Sequence, residues 1–537
     1  MNRKHFILML AVALTVVALA AFLWLPGRAA GPDPSGFPKP EGSTTAPAAE
    51  PSPRIGHTLT RVGDDLYLFG GLVETAAATA SHGPRAPLSL PANDLWRWGN
   101  VNDWEEKPPT NTPPPARFYH GAAAANGKLY VFFGVDASYS TLSDIWAYNL
   151  LTDEWAQQPS VAPPPPRSQF SAVAIGRDIY VWGGLGADFQ VITDPFAWRY
   201  DPATGNWTPM AGLPPRFGHV AGVVNGKMVV SGGSDSAQYY ADAQAFDPVA
   251  NQWAQVSLSG AALESLAYSA AAASGNIMQI FGGQHREFSA AALARPATED
   301  ATARDTVWEL TFDAEVTTAT VRQLAPLPAR RKYAAAAMLP TAGAQAAAGP
   351  AATGYPQALL FGGAVDYRYV AATLLYSAGL YTWAGGADSD WRTTANWTPA
   401  GVPIYGNDVS VPAGAPRWPL VAAAAACHDL TIASGAALTV SQGVTLTATG
   451  VVTNSGRLMQ VRAADAAGVG VAFGLWGNGS ALTYAGVTIT PTVAALGTVT
   501  VTVRGAVCGA DGALPQTVKR CFEIAPQTPG PATVRFY

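Results

Sequence analysis

Arg54, Arg117, Arg167, Arg216 and Arg330 recur at equivalent places along the first two thirds of the chain. His57, His120 and His219 each follow one of them at a spacing of three. Guanidinium groups gathered at one mouth would grip carboxylates in two-pronged fashion, so such a set suits a carboxylated sugar or another anion. The repetition also fits a plainer use. A binding site breaks symmetry, whereas a structural tie is needed once in every repeat, here from each arginine to the carbonyls of the next unit.

Other chemistry-bearing residues are scattered. Glu264, His285, Arg286 and Glu287 form the non-repeated charged group, which is either a site or a solvated loop cluster. His82, His285 and His428 stand apart from one another, without the ligand spacing of a zinc site. No phosphate loop, nucleophile elbow or Ser-His-Asp order is visible, and no cofactor is predicted. Trp383, Trp391 and Trp397 could stack on sugars or cap the module that follows them. Of the three cysteines, Cys508 and Cys521 are spaced to bridge a hairpin in an oxidising compartment, leaving Cys427 odd. The alternative is three free, buried thiols.

The elements that must position these residues are repeats. Leu66-Tyr67-Leu68-Phe69-Gly70-Gly71 returns at Leu129, Ile179, Met228, Met278 and Ala358. An apolar strand ending in Gly-Gly, at intervals of 49 to 80 residues, outranks any local reading. The second unit is the clearest. Gly121 to Ala125 is a strand, Asn126-Gly127 a two-residue hairpin turn, and Leu129 to Phe133 the next strand. Ser143 to Tyr148 alternates like a third strand, and Trp155 marks a fourth. Four antiparallel strands per unit make a propeller blade, with Trp and Tyr filling the wedges between blades.

The arginine with a histidine three later, the Gly-Gly after an apolar strand and the spaced Tyr and Trp resemble the kelch family of β-propellers, over residues 54–380. The resemblance implies an all-β ring of six blades, with a degenerate seventh left open. Phe133 departs from it in place of a glycine, and Phe170 in place of a histidine. Asp201-Pro202 and Asp247-Pro248 fit its turn between third and fourth strands better than a sialidase Asp-box. The copper-oxidase relatives of this fold, of the galactose oxidase type, need a cysteine crosslinked to a tyrosine. No cysteine lies between Arg54 and Trp383, which excludes that chemistry. A sugar epimerase like the sialic acid mutarotases would draw on Glu264 and its neighbours. Insertions at Leu72–Pro91, Gln284–Arg304 and Pro340–Pro356 are predicted to leave the ring as Ala-rich loops.

The chain has 537 residues, a net charge of -5, 54 Gly and 43 Pro. Low charge without basic blocks makes nucleic acid a poor partner. Arg3-Lys4 precede an apolar run from Phe6 to Leu25, which reads as a signal peptide or a membrane anchor over residues 1–30. Residues 31–53 are a Pro/Ala-rich linker.

After the ring, residues 381–460 carry short strands with Gly turns every six to nine residues, resembling β-solenoid modules of bacterial surface and adhesin-like proteins. Residues 461–537, with the alternating Thr498 to Arg504, are predicted to form a β-sandwich-like terminal module. The expectation is an exported bacterial surface or adhesion protein that presents a propeller to a protein or glycan ligand. The alternatives are a carbohydrate-active enzyme and a structural envelope component.

Overall fold

The computed structural model describes residues 50–74, 89–99, 103–285, 303–327, 329–339, 357–365, 368–404, 406–469, 471–476, 482–504, 521–528, 530 and 532–536. Their regular structure is strand throughout, apart from one 3-10 turn at Thr394–Asn396.

The second blade shows why these residues fold as they do. Asn126 and Gly127 both sit at positive φ (51° and 70°), the turn whose twist matches that of its flanking strands. It joins the strands Gly121–Ala125 and Lys128–Phe132. Ile145–Asn149 and Glu154–Gln157 complete an antiparallel sheet of four. Blades one, three, four and five repeat this order. The innermost strands are Thr58–Val62, Gly121–Ala125, Ser171–Ile175, Val220–Val224, Ala270–Ser274 and Ala335–Met338. They neighbour one another around an axis, the last lying beside the first. Small side chains dominate there because six strands crowd together.

Aromatic seams hold the blades. Trp155 of the second blade lies 5.0 Å from Phe69 of the first, and Trp253 of the fourth 5.2 Å from Trp182 of the third. Trp104 of the first lies 5.2 Å from Phe361 of the sixth. Each ring packs on a neighbour it cannot do without, so one blade alone would not be stable.

The backbone closes the circle. The second glycine of each Gly-Gly tract donates its N–H to a carbonyl of the next blade. Gly71 donates to Arg117, Gly134 to Arg167, Gly184 to Arg216, Gly233 to Leu266 and Gly283 to Arg331. Gly363 then donates to Arg54 at 2.9 Å. All six glycines have φ between 83° and 109°, a conformation other residues rarely adopt. The ring therefore has six blades, and no seventh intervenes. The sixth blade shows three strands among the described residues: Ala335–Met338, Gln357–Phe361 and Thr373–Ser377. Where a fourth strand would turn back, the chain runs on through Ala378 into Gly379–Trp383.

The first predicted insertion begins and ends as a long hairpin, with Asp65–Glu74 paired to Ser89–Trp98 out to Glu74 and Ser89. Most of 284–304 and all of 340–356 lie outside the described residues, as do the apolar run Phe6 to Leu25 and Cys508.

Beyond the ring, parallel strands stack on three faces. Gly379–Trp383, Asn407–Val411, Leu430–Ile432 and Val452–Asn454 form one face. Leu420–Val421, Ala437–Val440 and Arg457–Ala464 form the second, and Ala425–Cys427, Leu446–Ala448 and Val471–Trp476 the third. The register Val409, Leu430, Val452 sets the coil at 21 to 22 residues, three strands per turn. In the residues predicted as a sandwich-like module, 461–537, the strands continue two of these faces as two sheets around one core. Arg457–Ala464 runs through its boundary, and Gly497–Arg504 and Cys521–Pro526 extend the second face antiparallel. Leu482–Pro491 and Ala532–Phe536 extend the third. One apolar core runs from Tyr381 and Trp383 to Val503.

Candidate functional site

The repeated arginines are buried struts, not a cationic mouth. Arg117 is fully buried. It forks onto Asp144 at 2.7 and 2.8 Å and donates to the Phe133 carbonyl at 2.9 Å. Arg54 does the same with Asp94 and the Gly70 carbonyl, and Arg216 with Asp242 and the Gly232 carbonyl. Arg167 pairs with Asp194 at 2.8 Å. Each guanidinium braces its own blade. The tie between blades is made by the arginine's backbone carbonyl. Burial pushes the Asp144 carboxyl up, but the Arg117 guanidinium and the Trp146 indole outweigh it and hold that carboxyl below its ordinary value. A buried charge so neutralised presents nothing to an anionic ligand.

The fifth and sixth blades depart from the pattern. Leu266 takes the arginine's place in the fifth, where Glu264 pairs with Arg304 and accepts from Thr306 at 3.1 Å. In the sixth blade the position belongs to Arg331, whose carbonyl accepts from Gly283. The predicted Arg330 is exposed one residue earlier. Asp94, Asp144, Asp194 and Asp242 escaped the sequence reading. The available signal was an Asp at the head of each third strand, two residues before Trp96 and Trp146.

The histidines are seam residues. His57 reaches the Phe361 carbonyl of the sixth blade at 3.2 Å, and His120 meets Thr58 of the first at 3.0 Å. His219 packs on Trp182 of the third, ring centroids 4.8 Å apart. Burial, and then the neighbouring Arg54 or Arg216, pushes His57 and His219 down to about 3. His120 is lowered well below 6.5 for the same reasons. All three are neutral at physiological pH.

The turns ahead of the inner strands close the axis. Gly56, Tyr119, Gln169, Gly218, Tyr268 and Tyr333 occupy equivalent places, all at positive φ. Each of the last five donates its N–H to the preceding one's carbonyl at 2.7 to 3.1 Å. Tyr333 lies 6.0 Å from Tyr119 and 4.5 Å from Tyr268, ring to ring. Burial pushes the Tyr119 hydroxyl up. These rings crowd one end of the axis. Residues 41–293, which take in most but not all of these seams and turns, match a family profile described as Attractin/LZTR1 beta-propeller.

The ring is a kelch-type β-propeller. Its repeats are similar to short stretches of much longer proteins. Tip elongation aberrant protein 1 of Schizosaccharomyces pombe is 35% identical over 99 residues, 17% of this chain. A tRNA wybutosine-synthesizing protein 2/3/4 of Arabidopsis thaliana is 31% identical over 86 residues, 16% of this chain. Dynein regulatory complex subunit 7 of Chlamydomonas reinhardtii is 33% identical over 93 residues, again 17% of this chain. The alignment spans 7% of each of these relatives. Residues 382–467 match a second profile, a domain of unknown function, DUF8693.

On the kelch ring, the loops between second and third strands share the face on which the tyrosine turns lie. Two of them present aromatic tips. Tyr139 is 63% exposed and Phe189 42% exposed. Both are held at positive φ, 59° and 56°, by a turn in which each donates its N–H three residues back, to Asp136 and Gly186. Phe118 anchors the base of the first tip, 6.1 Å from Tyr139. Bulky residues in the left-handed region are costly, about 1–3 kcal/mol each, and persist where something else fixes them.

The remaining candidates that fall among the described residues take structural roles. His285 accepts from or donates to Ser265, while Arg286 and Glu287 lie outside the described residues. Trp383, Trp391 and Trp397 are buried, with rings 4.9 and 4.7 Å apart, and form no open sugar platform. In the coiled region, Asp408, His428 and Asp429 come within metal-ligating range of one another. His428 Nδ1 lies 3.0 Å from Asp408, whose hydrogen bond raises the imidazole's pKa. The group is a clamp between two coils. Among the described residues no helix is long and apolar enough to cross a membrane.

Proposed function

We propose that this protein is an exported binding protein, and that it holds a protein partner on the kelch face bearing Tyr139 and Phe189. The observation that carries this reading is the pair of exposed aromatic tips, set at equivalent places in neighbouring blades and fixed in strained conformations. Tyrosine and phenylalanine offer large rigid contact area at small entropic cost, and binding energy concentrates on such anchors. The coiled region then acts as a spacer. Export rests on Arg3-Lys4 and the apolar run Phe6 to Leu25, and is tested by fractionation with sequencing of the mature N-terminus.

The binding face is tested by photo-crosslinking. A photoreactive phenylalanine placed at position 139 should give adducts with a discrete partner protein in the native cells. The same residue at position 249, where Val249 is 96% exposed in the turn between third and fourth strands, should give none. Equal adducts from both positions, or none from 139, would refute the reading.

A further inference from the structure

We infer that the loops of the second, third and fourth blades form an arc that takes a basic, lysine- or arginine-bearing segment of a partner protein. This rests on the reading of that face as the protein-binding one, and adds the partner's chemistry.

Three observations converge. First, each of these loops carries one aspartate at its tip, and none carries a lysine, arginine or histidine over 135–142, 185–193 or 234–241. Second, the carboxylates are fixed. Asp136 accepts from the N–H groups of Ser138 and Ser140 at 2.8 and 2.9 Å, and Asp188 from that of Gln190 at 3.1 Å. Asp235 accepts from those of Ala237 and Gln238, both at 2.9 Å. One oxygen of Asp136 and of Asp188 is committed to its turn, and at Asp235 the second oxygen also accepts from the Tyr240 hydroxyl at 2.7 Å, so the charges cannot swing away. Third, the aromatic tips Tyr139 and Phe189 lie within the same turns as Asp136 and Asp188. A carboxylate beside an exposed ring is the pairing that recognises a cationic side chain, by charge and by the ring's electron-rich face. On the same face Lys332 belongs to the sixth blade, across the axis from the third, where it bonds Gln284 at 3.3 Å. A neutral glycan would also use the rings and donate from its hydroxyls to the carboxylates, but its binding would lack a steep dependence on salt.

The test pans a random 12-residue peptide library, displayed on phage, against the full chain. Each enriched peptide is then measured against D136N/D188N and against Y139S/F189S. Asparagine keeps the oxygen that caps each turn and removes only the charge. Enriched peptides should carry net positive charge. They should bind D136N/D188N at least tenfold more weakly, and weaken steeply with salt. Neutral or acidic peptides that lose affinity for Y139S/F189S alone would overturn the basic-partner inference and leave the binding face standing. Enrichment of no peptide, of peptides indifferent to both variants, or binding only on a glycan array would overturn both.

Discussion

The Phe133 ring lies 5.7 Å from the Phe170 ring across the seam between the second and third blades. Elsewhere the same two positions hold Gly70 facing His120, Gly183 facing His219 and Gly362 facing His57. A glycine–histidine contact has been exchanged for two phenylalanines, and Gly121 makes room, since a Cβ there would come within 2.5 Å of Phe170. Phe133 keeps the positive φ of the glycine it replaces, at 53°.

The two substitutions should therefore be coupled. Phe133→Gly alone opens a cavity worth about 3–5 kcal/mol, and Phe170→His alone buries an imidazole against a ring. The double variant restores the pattern of the other seams. In urea denaturation it should be less destabilised than the summed singles by about 1–3 kcal/mol. Additive losses would show that the seam is not a paired unit.

Asp144 and Arg117 form a second pair whose halves should not be separable. Asp144→Ala leaves a guanidinium with no counter-charge in a fully buried position, which costs about 3–5 kcal/mol. Replacing both, as Arg117→Met with Asp144→Leu, removes the stranded charge and should lower the melting temperature less than Asp144→Ala does. Differential scanning calorimetry of the two variants decides it, and a double variant that melts first would contradict the bracing role.

The buried histidines give the ring a pH dependence of defined sign. The unfolded chain takes up protons on these imidazoles near pH 6.5, whereas His57 and His219 in the fold resist protonation until about pH 3. Their contribution is complete above pH 6.5 and is lost as pH falls through that interval. Asp94, Asp144 and Asp242 are held below 3.8, so they do not titrate between pH 6.5 and 5. Urea midpoints should fall between pH 7 and pH 5. The fall should be smaller in His120→Gln, whose amide can still reach Thr58. His428 acts oppositely, since its raised pKa gives stability at lower pH that is lost as pH rises through its folded value. A wild-type midpoint flat between pH 7 and pH 5, or a His120→Gln slope as steep as wild type, would remove the seam histidines as the cause.

Closure depends on Gly363. A Cβ there would come within 2.9 Å of the Lys332 carbonyl and 3.1 Å of the Ala334 side chain, at a φ of 97°. Gly363→Ala should cost more than about 1 kcal/mol and loosen the bond to Arg54. Hydrogen exchange should quicken in the strand Thr58–Val62 before it does in the third blade. Uniform quickening would mean that the ring has no distinct closing seam.

Most of the ring was legible because its signals are local. Asn126-Gly127, Gly70-Gly71 and the strand before them speak within a few residues of chain. The arginine positions were legible as a pattern, but not what they do, because Asp144 stands 27 residues from Arg117 and meets it only through the sheet. The sixth blade misled by one residue, with adjacent arginines and only the packing to choose Arg331. The short spacing of strands after residue 430 was visible, but three such strands make one coil of 21 to 22 residues, and only pairing reveals the triangle. Tyr139 and Phe189 gave no sign, since an exposed aromatic in a polar loop is ordinary in sequence and becomes informative through its φ.

The central claim is that binding lives on the loop tips and that the repeated arginines and histidines serve the fold. Quantitative co-purification of the full chain and of its Tyr139→Ser/Phe189→Ser variant from the same native cells, with melting temperatures in parallel, tests it most directly. We predict loss of the partner protein at an unchanged melting temperature. Full retention of that protein by the variant would contradict the claim.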